Sequence, residues 1–231
     1  DAGIVGMGGA AFPTAVKLSP PEHREIDTFV VNGAECEPYL TVDDMLTQTY
    51  PDEIIEGIRI VLKILKINRA VIGIEKNKPK AIKVLTQALE KGNFNESIEL
   101  KALPTKYPQG AEKQLISTML KREVPSGELP LDVGVVVNNV GTIFAIREAV
   151  VNGKPLIERY LTITGSIVKN PGNYKVRIGT QISDIIEECG GLTDKPAKII
   201  MGGPMCGMAL NHLEISVVKG TSGILFLGQD E

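Results

Sequence analysis

The sequence predicts an α/β protein: a Rossmann-like parallel sheet covered by helices, followed by a small β-grasp domain. Three observations carry this. From Asp27 to Val151, short apolar runs alternate with stretches of helical periodicity, the pattern of parallel strands joined by helical crossovers. Val133 to Val137 is nearly all valine, as in strands buried on both faces. After Asn152-Gly153-Lys154-Pro155 the pattern changes to two strands, a helix and a strand within Glu158 to Met201. The expected segments are residues 1–153, 154–201 and 202–231.

The totals are compatible with this. The chain has 231 residues, 43% hydrophobic and 23% charged, ordinary values for a globular protein. A net charge of −3 does not mark a nucleic-acid binder. No run of about 18 apolar residues is present, so no membrane span is expected. Cys36, Cys189 and Cys206 are far apart and form neither a disulfide framework nor a cluster ligand set.

In chain order, Gly6-Met7-Gly8-Gly9-Ala10-Ala11 comes first. Glycines can take positive φ and let a ligand approach the backbone, and bare N–H groups suit a phosphate. Pro13 is placed to open a short helix, and Lys17 would add a charge one turn on. By spacing alone, the loop is a phosphate cradle or a plain glycine-rich turn. Asp27 to Asn32 reads as a buried strand. Asn32-Gly33-Ala34-Glu35-Cys36-Glu37-Pro38 follows at its end, where open α/β sheets bind ligands; two surface acids in a turn are the plainer alternative.

Pro51 opens a helix with Ile54, Ile58, Val61, Leu62 and Leu65 on one face. Ala70 to Ile74 is a strand, and Pro79 opens a second helix that stops near Lys91-Gly92. Ser97 to Leu103 is a third strand. Tyr107-Pro108-Gln109-Gly110-Ala111-Glu112 leads into a helix carrying Leu115, Ile116 and Met119. Glu112 would suit that helix's dipole. Asn138-Asn139-Val140-Gly141-Thr142 ends the valine strand, offering two amides to a ring or making an ordinary turn, and a helix is expected from about Thr142 to Val150. Beyond the break come strands at Glu158 to Gly165 and Tyr174 to Ile178, with a turn at Asn170 to Asn173 between them. A helix over Ile182 to Cys189 and a strand at Lys198 to Met201 follow. Gly202 to Gly207 is a tight loop. Ile215 to Leu227 is apolar enough to return to a core.

Four of these segments, in this order, resemble the family of flavin-bearing, NADH-oxidising subunits of respiratory complex I, most closely its RnfC branch from the Rnf electron-transport complex. Residues 6–17 look like the family's G-x-G-G-x-x-F-P-T-x-x-K flavin loop. Asn32 to Pro38 looks like N-x-x-E-x-E-P, Tyr107 to Glu112 like Y-x-x-G-x-E, and Val137 to Thr142 like V-N-N-V-x-T. Leu161 to Gly191 is similar to the β-grasp module called SLBB.

The resemblance implies a noncovalent FMN, with NADH as substrate. It implies that Gly6, Gly8 and Lys17 face the phosphate, and that Asn32, Tyr107, Gly110, Asn138 and Asn139 contact the flavin. Gly9, Phe12, Glu37 and Glu112 would face NADH, and Glu35 and Thr142 complete the cofactor-binding set. Neither Glu37 nor Glu112 is expected beside Lys17. Complex I carries acids where this chain has Ala34 and Ala111, and an arginine at Met7. The implied partners are the other subunits of a membrane electron-transport complex, with this chain peripheral on the cytoplasmic side. The family continues into an iron–sulfur domain with 4Fe-4S clusters, so the chain reads as an excised core. A related cobalamin reductase, or a docking scaffold holding no flavin, would share the same core.

Overall fold

The structure, a computed structural model, describes residues 2–92, 94 and 96–231. The chain forms two units. One comprises residues up to Cys36 together with Asp43–Pro155; the other comprises Glu37–Val42 and Leu156–Glu231.

The first unit begins with the glycine loop and a single turn of helix, α1 (Thr14–Lys17). Then come β1 (Thr28–Gly33), α2 (Val42–Thr49), α3 (Pro51–Leu65), β2 (Arg69–Glu75), α4 (Pro79–Lys91), β3 (Ser97–Leu103), α5 (Glu112–Leu120), β4 (Val135–Asn139) and α6 (Val140–Asn152). Pro51 and Pro79 stand at the starts of α3 and α4, where a missing N–H costs nothing. Helix α2 is an element that the sequence pattern does not announce. Helix α6 starts two residues earlier than expected because the Asn139 side chain accepts from Gly141 N and caps it. The strands are all parallel in the order β3-β2-β1-β4.

Alternation along the strands divides the core. Phe29, Val31, Ile72, Ile74 and Val136 pack with apolar residues of α3, α4 and α6. Val30, Val71, Val135 and Val137 point the other way, onto Leu115, Ile116 and Met119 of α5. The sheet is thus covered on both faces, which is why β1, β2 and β4 carry near-continuous apolar runs, while the edge strand β3 carries polar residues on its more exposed positions. Helices α3 and α6 approach closely at Gly57: a Cβ there would lie 2.6 Å from the Ile143 carbonyl oxygen.

The second unit holds β5 (Glu158–Thr164), β6 (Gly172–Arg177), α7 (Ile182–Glu188), β7 (Lys198–Met201), β8 (Met208–Leu210) and β9 (Gly223–Leu227). Its mixed sheet has the order β6-β5-β9-β7-β8. Strand β9 lies between β5, parallel, and β7, antiparallel, and every residue of it is buried. Ile182, Ile185 and Ile186 of α7 pack on Leu161, Ile163, Ile224 and Phe226. The short excursion Glu37–Val42 is built into this unit. Leu40 packs with Ile200, Leu225 and Leu227, and Thr41 N donates to Thr162 Oγ1 at 3.1 Å.

Candidate functional site

In the first unit, the chain lays β2 and β3 to one side of β1 and then returns to place β4 on the other. The winding reverses between β1 and β4, and the crevice at the carboxyl ends of such strands is the usual ligand site. Asn32 is in register with Asn139 there, and Val31 with Asn138.

The glycine loop sits over this edge. Met7 N donates to the buried Thr142 Oγ1 at 3.0 Å, and Gly6 N to Phe12 O at 2.8 Å. Gly8, Gly9 and Ala10 form an exposed crest. Within residues 6–11 the positive φ falls on Ala11, at 53°, and on none of the glycines. The glycines serve space instead. A Cβ on Gly8 would lie 3.0 Å from Asn139 Nδ2, and one on Gly9 would meet no atom within 4 Å. Phe12 is half exposed.

Several predicted residues turn out to hold loops. Asn32 Nδ2 donates to Gly110 O at 2.9 Å, and its Oδ1 accepts from Ala34 N at 3.1 Å. Gly110 N points at Cys36 Sγ at 3.4 Å, and a Cβ on Gly110 would lie 2.5 Å from the Ala34 carbonyl oxygen. Asn139 Nδ2 donates to Asp43 Oδ2 at 2.5 Å. Asn138 differs: its side chain is buried and its Oδ1 has no partner among the described residues. Tyr107 is exposed.

The separation expected between Lys17 and Glu112 is corrected. Lys17 Nζ donates to Glu112 Oε1 at 2.6 Å and to Val137 O at 2.8 Å. Glu112 does not cap its own helix; α5 has no side-chain cap. An ammonium attracts a carboxylate more strongly than a helix end does.

Glu35 is buried in a small polar cluster. Its carboxylate accepts from Asp43 N at 2.9 Å and Asp44 N at 3.3 Å, in the first turn of α2, and from Lys78 Nζ at 3.4 Å. Burial, reinforced by the Asp43 charge, pushes its carboxyl up to about 8, against the pull of those N–H groups and Lys78. Glu75, at the end of β2, is also buried and raised, chiefly by burial, with Lys106 N and Lys78 opposing.

Glu37 belongs to the second unit. Its Oε2 accepts from Met205 N at 3.0 Å, and its Oε1 is buried with no partner among the described residues. A Cβ on Gly203 would collide with this carboxylate. The tight loop 202–207 therefore holds Glu37. Sequence reasoning gave no role to Asp43, Lys78 or Gly203. Of these, only Gly203, within a glycine-rich loop, left a signal that a sequence alone shows.

Among the described residues no helix is long and apolar enough to cross a membrane.

Comparison with known proteins agrees with this architecture. The family profile described as the Nuo51 FMN-binding domain matches residues 1–148, and that of the SLBB domain matches residues 160–209. The chain is 52% identical over its whole length to the C subunit of the proton-translocating ferredoxin:NAD(+) oxidoreductase complex of Clostridium ljungdahlii, of which it covers 50%. It is 49% identical to the C subunit of the Na(+)-translocating ferredoxin:NAD(+) oxidoreductase complex of Acetobacterium woodii, covering 51%. The chain thus spans about half the length of these curated relatives. A crystal structure of an NAD+-reducing [NiFe]-hydrogenase in its air-oxidised state superposes with a TM-score of 0.85 at 21% identity, over 100% of this chain and 45% of that one. At that identity the likeness speaks for the fold.

Proposed function

The chain belongs to the family of the Nuo51 FMN-binding domain and carries an SLBB domain after it; from that premise we propose that it is the flavin-bearing, NADH-oxidising core of an ion-translocating electron-transport complex. The observation that carries the reading is the exposed crest Gly8–Ala10, set beside Asn139 at the β1/β4 switch point.

The residues present fit FMN. Space is left open over Gly9, a buried amide oxygen on Asn138 lacks a partner among the described residues, and Lys17 supplies a cation. In this reading Gly6, Gly8 and Lys17 hold the phosphate and Asn138 meets the flavin. Asn32, Asn139 and Thr142 act by fixing the loops around it. Gly9, Phe12 and Glu112 serve NADH. When bound, FMN supplies the acceptor for the nicotinamide hydride and returns the electrons one at a time. Hydride transfer needs no side-chain acid or base, so the protein's task is to bind, orient and exclude water.

The electrons then pass to iron–sulfur centres and ferredoxin-type partners carried outside this chain. The complex sits at the membrane, with this chain peripheral on its cytoplasmic face. Names of the relatives support the complex and the couple. The direct test is an FMN titration followed by NADH under anaerobic conditions. The expected results are saturable FMN binding and bleaching of the flavin absorbance. Gly8→Val should weaken FMN at least tenfold, because a branched side chain would be driven into Asn139 and the phosphate path. Unchanged FMN affinity in that variant removes the loop from the site. A parent chain that binds no flavin favours the docking-scaffold alternative.

A further inference from the structure

We propose that Glu112 is a latch on Lys17: it occupies the ammonium until the FMN phosphate displaces it, and the freed carboxylate then serves NADH, so that the two sites fill in order. This rests on the proposed flavin function. It starts from one geometric fact, that the predicted phosphate cation and the predicted NADH acid are paired at 2.6 Å.

The lysine is not held by Glu112 alone. Val137 O, in β4, accepts from the same nitrogen at 2.8 Å. A neutral carbonyl of a buried strand keeps the ammonium in place without cancelling its charge. Glu112 can leave while Lys17 stays. The two side chains are 30% and 37% exposed, so the carboxylate has solvent to swing into. It stands in the first turn of α5, so the freed carboxylate keeps the favourable field of that helix's N-terminus.

A phosphate arriving at Lys17 meets a carboxylate already on that nitrogen. Two anions at one ammonium repel, and the one with greater charge and more oxygen acceptors wins. Removing the carboxylate charge therefore removes a competitor. What separates the latch from simple repulsion between two anions is its dependence on Lys17.

The test compares FMN with riboflavin, which has the ring and ribityl chain but no phosphate. In Glu112→Gln, FMN should bind about 3- to 30-fold tighter, the range for a partly exposed charge pair, with riboflavin affinity unchanged. In a Lys17→Gln background the same change should leave FMN affinity unmoved, which isolates the pair. NADH should bind the FMN-loaded Glu112→Gln chain more weakly, so the two ligands move in opposite directions. Equal or weaker FMN binding in Glu112→Gln overturns the latch, as does equal tightening of riboflavin. If the parent binds neither flavin, the proposed function fails and the latch falls with it.

Discussion

A carboxyl group buried beside a second carboxylate gives up its proton only at high pH, and Glu35 is so placed, with Asp43 next to it and Lys78 as its cation. Its folded pKa of about 8 lies above the ordinary value of 4.5. Between those values the folded chain holds a proton that the unfolded chain has released. Stability must therefore fall as pH rises through that window, by up to about 1.4 kcal/mol per pH unit from this group. Below the window both states are protonated and the contribution is level. Urea unfolding of parent and Glu35→Gln at pH 5, 6.5 and 8 checks this: the parent should lose stability with pH and the variant should lose less. Parallel losses would show that Glu35 is not the group responsible. At this scale the candidate residues were legible as types in motifs, whereas their partners were not. Lys17 and Glu112 are 95 residues apart, and nothing local to either signals the pair. Asn32 and Asn139 read as flavin contacts, and each amide also holds a loop, donating one N–H to Gly110 O and to Asp43 respectively, because a strand end must also anchor the loop that leaves it.

Helices α3 and α4 were legible because a proline opens each and an apolar stripe runs along it. Helix α2 was not. It is short, no proline announces it, and its first-turn N–H groups are met by Glu35, eight and nine residues upstream, and not by a local cap. Strands β1, β2 and β4 were legible because burial on both faces leaves apolar runs, and the edge strand β3 because its residues partly alternate. Strand β8 is three residues long with two of them exposed, so it had no hydrophobic pattern to show. Gly57 tests how α3 and α6 meet. Alanine there gains helix propensity, at most about 1 kcal/mol. Its Cβ, however, would press on the Ile143 backbone, which cannot yield as a side-chain tip can. Overpacking of this kind costs about 1–3 kcal/mol. Gly57→Ala should therefore lower the urea midpoint, while a raised midpoint would mean that the helices are free to move apart.

Across the whole molecule, the chain enters the second unit twice, briefly at Glu37–Val42 and finally at Leu156. The Asn152-Gly153-Lys154-Pro155 break lies directly before the second entry. The first was invisible, since Pro38-Tyr39-Leu40-Thr41 looks like any loop and its partners lie more than a hundred residues on. We propose Asn152–Pro155 as the site where limited proteolysis nicks the folded chain. The two pieces should then separate on a denaturing gel yet elute together by gel filtration, because Leu40 and Thr41 stay embedded in the second sheet. Pieces that elute apart would contradict that embedding. The early excursion also bears on synthesis. Leu40 leaves the ribosome long before Leu225 and Leu227, the residues it packs against. At roughly 5–20 residues per second, that side chain waits on the order of ten seconds or more without its partners. The nascent first unit can close its own sheet in that interval, but it must carry a bare leucine strap until the last strand is translated, a window in which a chaperone has something to hold.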